Sequence, residues 1–268
     1  MKLGVSYNLF DGEELLESSI KSIRNNVDYI SVVYQTVSNF GNPCSEELVS
    51  LLEELKSEGL IDELFEYKPK TNKGGHYNEI TKRNLGLYLS EGAGCTHHMA
   101  MDSDEFYTEE QFKYMKKVVE EGDYDSSACQ MTTYYKDSKY RLEPKEEYYV
   151  SLMFKIQRGK EYVMGSPFPV LVDPTRRMVT NNCKVFTRDE IEMHHMSYVR
   201  KNIRKKLQNS SASPNFRNID KLVDYFDKWE YPKQALMGGA PDKFYDIVEV
   251  DKKFNVQKYE NSYNSHRY

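Results

Sequence analysis

Residues 3–10 alternate loosely between apolar and polar positions around Val5 and Tyr7, the period of a strand, and Asp11-Gly12 turns the chain after it. The period then changes. Over 13–24, Leu15, Leu16, Ser19, Ile20 and Ile23 share one face, which predicts an amphipathic helix. Residues 29–37 are β-branched and apolar, a second strand, and 39–43 are loop. A helix is expected over 45–57, with Ser45 as its cap, Glu46 and Glu47 in its first turn and Gly59 ending it. A short strand over 64–67 leads into a basic, glycine-bearing loop at 68–75. A third helix over 78–90 reads as burying Tyr77, Ile80, Leu87 and Tyr88, which puts Lys82 and Arg83 on or beside its exposed arc. Gly92-Ala93-Gly94 stops it, and a fourth strand runs up to Met101. Strand and helix alternate throughout, which argues for a mostly parallel sheet covered by helices.

After a helix at 109–121 the alternation is lost. Strands are expected at 125–135, 148–157, 168–172 and 184–187, and the run 192–198 is Glu-Met-His-His-Met-Ser-Tyr. A strongly basic helix follows at 199–208. A further helix at 218–229 buries Ile219, Leu222, Val223, Phe226 and Trp229, and 260–268 is polar and reads as frayed. No internal repeat and no linker interrupts the chain. The expectation is one α/β, Rossmann-like domain, with residues 1–210 as its body and 211–268 as a C-terminal helical extension packed on it.

Composition removes several classes. The 268 residues carry 37 basic and 42 acidic side chains, a net charge of −5, so no global attraction to nucleic acid is expected. No apolar run approaches the roughly 18 residues of a transmembrane helix, and the N-terminus lacks a signal-peptide core. Cys44, Cys95, Cys129 and Cys183 are widely spaced, so neither a zinc cage nor a disulfide scaffold is suggested. Free thiols point to the cytoplasm. The nucleotide-binding shape of the first half comes without a G-x-G-x-x-G or Walker A run. Tyrosine is abundant, at 22 residues, which suits stacking on sugars or bases as well as plain composition bias.

The candidate chemistry centres on residues 95–107, where Met99-Ala100-Met101 ends in Asp102-Ser103-Asp104-Glu105. Ligand sites of open α/β sheets lie at the carboxyl ends of strands. If the chain is still extended there, Asp102 and Asp104 point to the same side and repel unless a cation lies between them. Hard oxygen ligands suit Mg²⁺ or Mn²⁺, which bind diphosphate oxygens in turn. The plainer reading is an acidic turn that caps the helix beginning at Thr108-Glu109-Glu110. Arg83, flanking the stripe of the third helix, either faces solvent or reaches a diphosphate. His194 and His195 are adjacent on a strand and face opposite ways, so at most one can join Asp102 and Asp104. His97 and His98 read as sheet packing. The basic segment carries Arg200, Lys201, Arg204, Lys205 and Lys206, a density that implies an anionic neighbour, either a diphosphate reached by Arg200 or an anionic lipid surface met by the later lysines.

The runs K-R-N-L-G-L at 82–87, H-H-M-A-M-D-S-D-E-F at 97–106 and H-H-M-S-Y-V-R-K-N-I-R-K-K-L-Q-N-S-S at 194–211 resemble the family 2-like glycosyltransferases of the type A, nucleotide-diphospho-sugar transferase fold. The resemblance covers about residues 1–210. It implies an Asp-x-Asp that holds Mn²⁺ or Mg²⁺ on the donor diphosphate, with Asp104 on the metal, Asp102 on the metal and near the donor ribose, and His195 completing the metal site. His194 is the fallback. Where many members read uracil with an aspartate, this chain has Gln35-Thr36-Val37-Ser38-Asn39, which leaves the base open between UDP- and GDP-linked donors.

The expected reaction is metal-dependent transfer of a sugar from a nucleotide donor to a glycan or lipid-linked acceptor. Arg83 and Arg200 would bind the donor, and a base would take the acceptor proton if the configuration inverts. Asp173 is the first candidate for that base because it ends the run 168–172, although an Asp-Pro turn is the plain reading; Glu105 and Glu143 are alternatives. The rivals are a nucleotidyltransferase of the same fold, which would want a glycine-rich basic loop after the first strand, and a non-enzymatic nucleotide- or carbohydrate-binding module. Asp104, read as an exposed tip, is expected to be replaceable by alanine with loss of turnover and an intact fold. Peripheral membrane contact is the remaining expectation for the lysines.

Overall fold

The computed structural model describes residues 1–256; the expected frayed terminus at 260–268 lies outside the described residues. Strand β1 (Leu3–Leu9), helix α1 (Glu13–Ile23), β2 (Tyr29–Tyr34), α2 (Leu48–Ser57), β3 (Glu63–Glu66), α3 (Gly75–Gly92) and β4 (His97–Asp102) alternate in order. These four strands form a parallel half-sheet in the order β3-β2-β1-β4, with Asn8 of β1 in register with Asp102 of β4. The acidic tip thus stands at the carboxyl ends of two adjacent central strands. Leu16, Ile20 and Ile23 of α1, Leu48, Leu52 and Leu55 of α2 and Phe112 and Met115 of a later helix bury the main core together with Val5, Ile30 and Met99 of the sheet.

Beyond β4 the sheet continues through antiparallel strands. After β5 (Glu105–Phe106) and α4 (Glu109–Glu121) come β6 (Ser126–Tyr135), β7 (Asp137–Glu143) and β8 (Tyr149–Lys155). Strand β8 pairs with both β4 and β6 and joins the two halves. Strand β9 (Cys183–Val185) and strand β10 (Glu192–Tyr198) run parallel to β6. Strand β10 also pairs with β5, placing His195 opposite Glu105. The C-terminal segment holds α5 (Ile203–Asn209), α6 (Ile219–Asp227) and a hairpin of β11 (Ala235–Met237) and β12 (Lys243–Glu249), which extends the sheet on the edge of β7. Leu222, Val223, Phe226 and Trp229 of the α6 region bury a second core against Tyr135, Tyr198 and Ile203. No helix among the described residues is long and apolar enough to cross a membrane.

Three expectations need correction. Residues 168–172 are not a strand: Pro167 and Pro169 lack backbone donors, and Leu171 is 63% exposed. Asp173 therefore ends a loop, and caps the single 3₁₀ turn Pro174–Arg176. The basic helix begins at Ile203 rather than at residue 199, because the Asn202 side chain accepts from Lys205 N at 2.9 Å and caps it there. Helix α3 is rotated from its expected face. Lys82 and Arg83 are buried at 5% and 2% exposure, whereas Tyr77 and Tyr88 are 42% and 49% exposed. The cause is tight packing on β1. An added Cβ at Gly86 would lie 2.1 Å from Ser6 Oγ, so the helix approaches on its small and polar residues, not on its aromatic ones.

Candidate active site

A cavity of about 170 Å³ opens at the carboxyl ends of β1 and β4. Its walls come from five places: Asn8 and Asp11 at the end of β1, Gln35 and Asn39 after β2, Lys82 and Arg83 on α3, Asp102 to Asp104 at the end of β4, and Arg200 with Lys206 after β10. Asp173 completes the rim. The structure thus brings together Arg83, Asp102, Asp104, Asp173 and Arg200 from distant parts of the chain. His195 is not on the wall but stands behind Asp104, with its Nε2 3.8 Å from Asp104 Oδ2 and its Nδ1 3.4 Å from Thr133 Oγ1. His194 faces away, with Nδ1 2.9 Å from the Tyr134 hydroxyl.

Each aspartate is already paired with protein cations. Arg176 Nη2 donates to Asp102 Oδ2 at 2.6 Å and also to Glu105 Oε1, and Arg83 Nη2 lies 3.6 Å from the same Asp102 oxygen. Arg200 Nη2 donates to Asp104 Oδ2 at 2.5 Å and Lys206 Nζ donates to it at 3.0 Å. Burial works against ionising both aspartates. Arg176 with Arg83 outweighs it at Asp102, and Lys206 with Arg200 outweighs it at Asp104, so both carboxyls sit below the usual range. Glu105 goes the other way: it is buried behind the tip, its Oε2 has no partner among the described residues, and burial raises its pKa despite Arg176. Arg200 is pinned further by its Nε–H to Ser197 O at 3.3 Å and by Gly12. Gly12 has φ +84°, and a Cβ there would lie 1.7 Å from Arg200 Nη1.

The basic segment finds its anionic neighbours inside the protein. Lys205 Nζ lies 3.3 Å from Asp11 and 3.5 Å from Glu13, Lys206 reaches Asp104, and Arg204 pairs with Asp220 at 2.5 Å. Asp104 is 2% exposed, which corrects its reading as an exposed tip. Glu143, an alternative base, pairs with Arg141 at 2.6 Å on β7 and is absent from the cavity wall. Asp173 is on the wall, but its Oδ1 accepts from Thr175 N and Thr175 Oγ1, both at 2.7 Å, and burial is outweighed by Arg83 and the Thr175 hydroxyl, leaving the carboxyl below its ordinary value. Two functional candidates were missed. Arg176 carried no signal beyond the Asp-Pro turn before it. Lys82 was placed on the wrong face, since aromatic spacing outvoted the small residues that set the helix orientation.

The donor set can be tested against the expected divalent ion. Magnesium takes oxygen ligands at about 2.0–2.1 Å in a near-octahedral shell. An ion shared by Asp104 and His195 would compete for the oxygen that Arg200 and Lys206 hold, and would stand against both cations. At Asp102 the same oxygen is held by Arg176. Among the described residues no group of three or more His, Cys, Asp or Glu side chains is arranged to hold a metal. As arranged, these residues do not fit a resident divalent cation.

Fold and site together define an α/β domain with an acidic strand end over a parallel half-sheet. No family model matches the chain, and no curated protein matches it. Among solved structures, S. aureus TarS is similar over 78% of this chain and 40% of its own, at 11% identity and a TM-score of 0.46. Its 1–349 form in complex with UDP-GlcNAc is similar over 78% of this chain and 67% of its own, at 10% identity and a TM-score of 0.44. GalNAc-T7 with UDP, GalNAc and Mn²⁺ is similar over 84% of this chain and 49% of its own, at 10% identity and a TM-score of 0.42. The chain thus spans well under half the length of TarS. The case for an activity rests on the site itself.

Proposed function

We propose that the chain is a glycosyltransferase that binds a nucleoside diphosphate sugar, UDP- or GDP-linked, in the cavity at the ends of β1 and β4, and transfers the sugar to a glycan or lipid-linked hydroxyl. The observation that carries this reading is the convergence of Asp102, Asp104, Lys82 and Arg83 on one cavity at the carboxyl ends of adjacent parallel strands. Such a place suits a ligand with a planar base and a charged diphosphate. Gln35, Asn39 and Asn8 offer amide donors and acceptors on the wall, and both Asn8 side-chain polar atoms and Gln35 Oε1 are buried without protein partners among the described residues.

The reaction needs charge stabilised on the departing diphosphate and a proton removed from the acceptor. Lys82 and Arg83 supply fixed positive charge where the leaving group develops negative charge. Asp102, as the most open carboxylate of the tip, stands where a donor ribose or sugar hydroxyl would lie. Asp173 is the rim carboxylate for the acceptor proton; its low pKa makes it a weak base, suited to a step in which the acceptor O–H bond breaks late. Incubating the protein with a panel of nucleotide sugars and identifying the products tests the reading. Release of a nucleoside diphosphate from one or more donors is the expected result. Release of pyrophosphate from a nucleoside triphosphate and a sugar phosphate would indicate a nucleotidyltransferase instead. Binding without turnover of any donor would indicate a binding module.

A further inference from the structure

Lys82 stands apart from the other cations of the cavity. Arg83, Arg200 and Lys206 each face a carboxylate within 4 Å, whereas Lys82 has no hydrogen bond or ion pair to a described residue. It is nonetheless 5% exposed and lines the cavity. Burial lowers its pKa to about 8, against the pull of Glu79 and Asp102, so the ammonium is still charged at neutral pH. A buried charge without a partner is costly, and such groups persist where a ligand supplies the partner. Its neighbour Arg83 is only loosely held. Its Nε–H reaches Thr175 Oγ1 at 3.4 Å, its Nη2 lies 3.6 Å from Asp102, and its Nη1 is buried without a partner among the described residues. Good N–H···O hydrogen bonds are nearer 2.9 Å. Two adjacent cations of α3 therefore have unused donor capacity beside one cavity, while the Oδ2 atoms of Asp102 and Asp104 are engaged by Arg176 and by Arg200 with Lys206.

We infer that the cavity takes a diphosphate directly on Lys82 and Arg83, and that Asp102 and Asp104 anchor Arg176, Arg200 and Lys206 in place of a divalent ion. The nucleoside part of this ligand rests on the function proposed above; the diphosphate part does not. In this arrangement Arg200 is a positioning residue. It is fixed by Asp104, Ser197 and Gly12 on the wall of the same cavity.

The experiment is isothermal titration of the full chain with UDP, GDP and inorganic pyrophosphate, each in EDTA and in MnCl₂. The expected result is binding of pyrophosphate and of at least one nucleoside diphosphate in EDTA, with Mn²⁺ changing the affinity by less than about threefold. Lys82→Met should weaken that binding about tenfold or more, which is about 1.4 kcal/mol. Lys82→Arg should restore most of it. The thermal midpoint of Lys82→Met should be unchanged or higher, since a buried unpartnered charge is removed; Arg83→Gln gives an independent reading should the lysine variant fold poorly. Nucleoside diphosphate binding that appears only with Mn²⁺ would overturn the inference and leave the proposed function standing. So would EDTA-resistant binding that neither variant weakens. Pyrophosphate bound through Lys82 in EDTA, with no nucleoside diphosphate bound in either buffer, would keep the anion site and remove the sugar-nucleotide reading. No binding of any of the three would overturn both.

Discussion

The Asp104 carboxylate accepts from Arg200 and Lys206 inside the protein, so its removal strands a buried guanidinium. Asp104→Ala is therefore expected to destabilise the fold by about 3–5 kcal/mol, the usual cost of breaking a buried pair from one side. Thermal or urea unfolding measures this, and an unchanged midpoint would show that Arg200 relaxes freely. The pH dependence follows the same pairing. The folded-state pKa of Asp104 lies well below the ordinary 3.8, so it contributes stability that is present above that value and lost as pH falls below it. Asp104→Ala should accordingly flatten the acid limb of the stability curve. Residue identity in the Asp-Ser-Asp-Glu run was legible in the sequence, and so was its need for a compensating cation. What was not legible is that the cations come from Arg176, Arg200 and Lys206, each more than 70 residues away along the chain. Local spacing carries no information on such partners.

Helix α3 carries Lys82 and Arg83 on the cavity wall, and its orientation is set by what it does not contain. Gly86 lets it approach Ser6, and Ser90 lies against Gly4. The apolar cluster on this side of the sheet is small, built on Leu87, Ala100, Phe154, Tyr162 and Met178. A helix that packs on glycine and serine has no clear hydrophobic stripe, and that is why Tyr77 and Tyr88 drew the buried face the wrong way. Gly86→Ala should push α3 off β1. Its Cβ would stand 2.1 Å from Ser6 Oγ and 2.4 Å from Ser6 Cβ, so a destabilisation of about 1–3 kcal/mol is expected. Ligand affinity should fall with it, because Lys82 and Arg83 move with the helix. A double variant with Ser6→Gly should recover both; recovery of neither would show that the close approach is not what orients the helix. By contrast α1 buries an ordinary leucine and isoleucine face and was read from periodicity, whereas α2 was read from its caps and begins at Leu48, after Glu47, not at the expected cap Ser45.

At the scale of the whole molecule, the parallel half-sheet of β1 to β4 was legible because its four strands are separated by three helices along the chain. The antiparallel half was less so. Strand β7 follows β6 across Lys136 at φ +65°, a turn made without glycine, and β12 returns from over 100 residues later to pair with it. Long-range pairing of short strands leaves little trace in local pattern. The result is a molecule whose cavity is walled by both halves, with α3 and the acid tip from the first and Asp173, Arg200 and Lys206 from the second. The central claim is that this junction is where a nucleoside diphosphate binds. Hydrogen–deuterium exchange of the full chain with and without saturating UDP or GDP tests it most directly. The expected result is slowed exchange together at 8–12, 79–86, 102–105 and 197–206, segments that all contribute to the wall of this cavity. Protection confined to other surfaces, or to one half of the sheet alone, would contradict the claim.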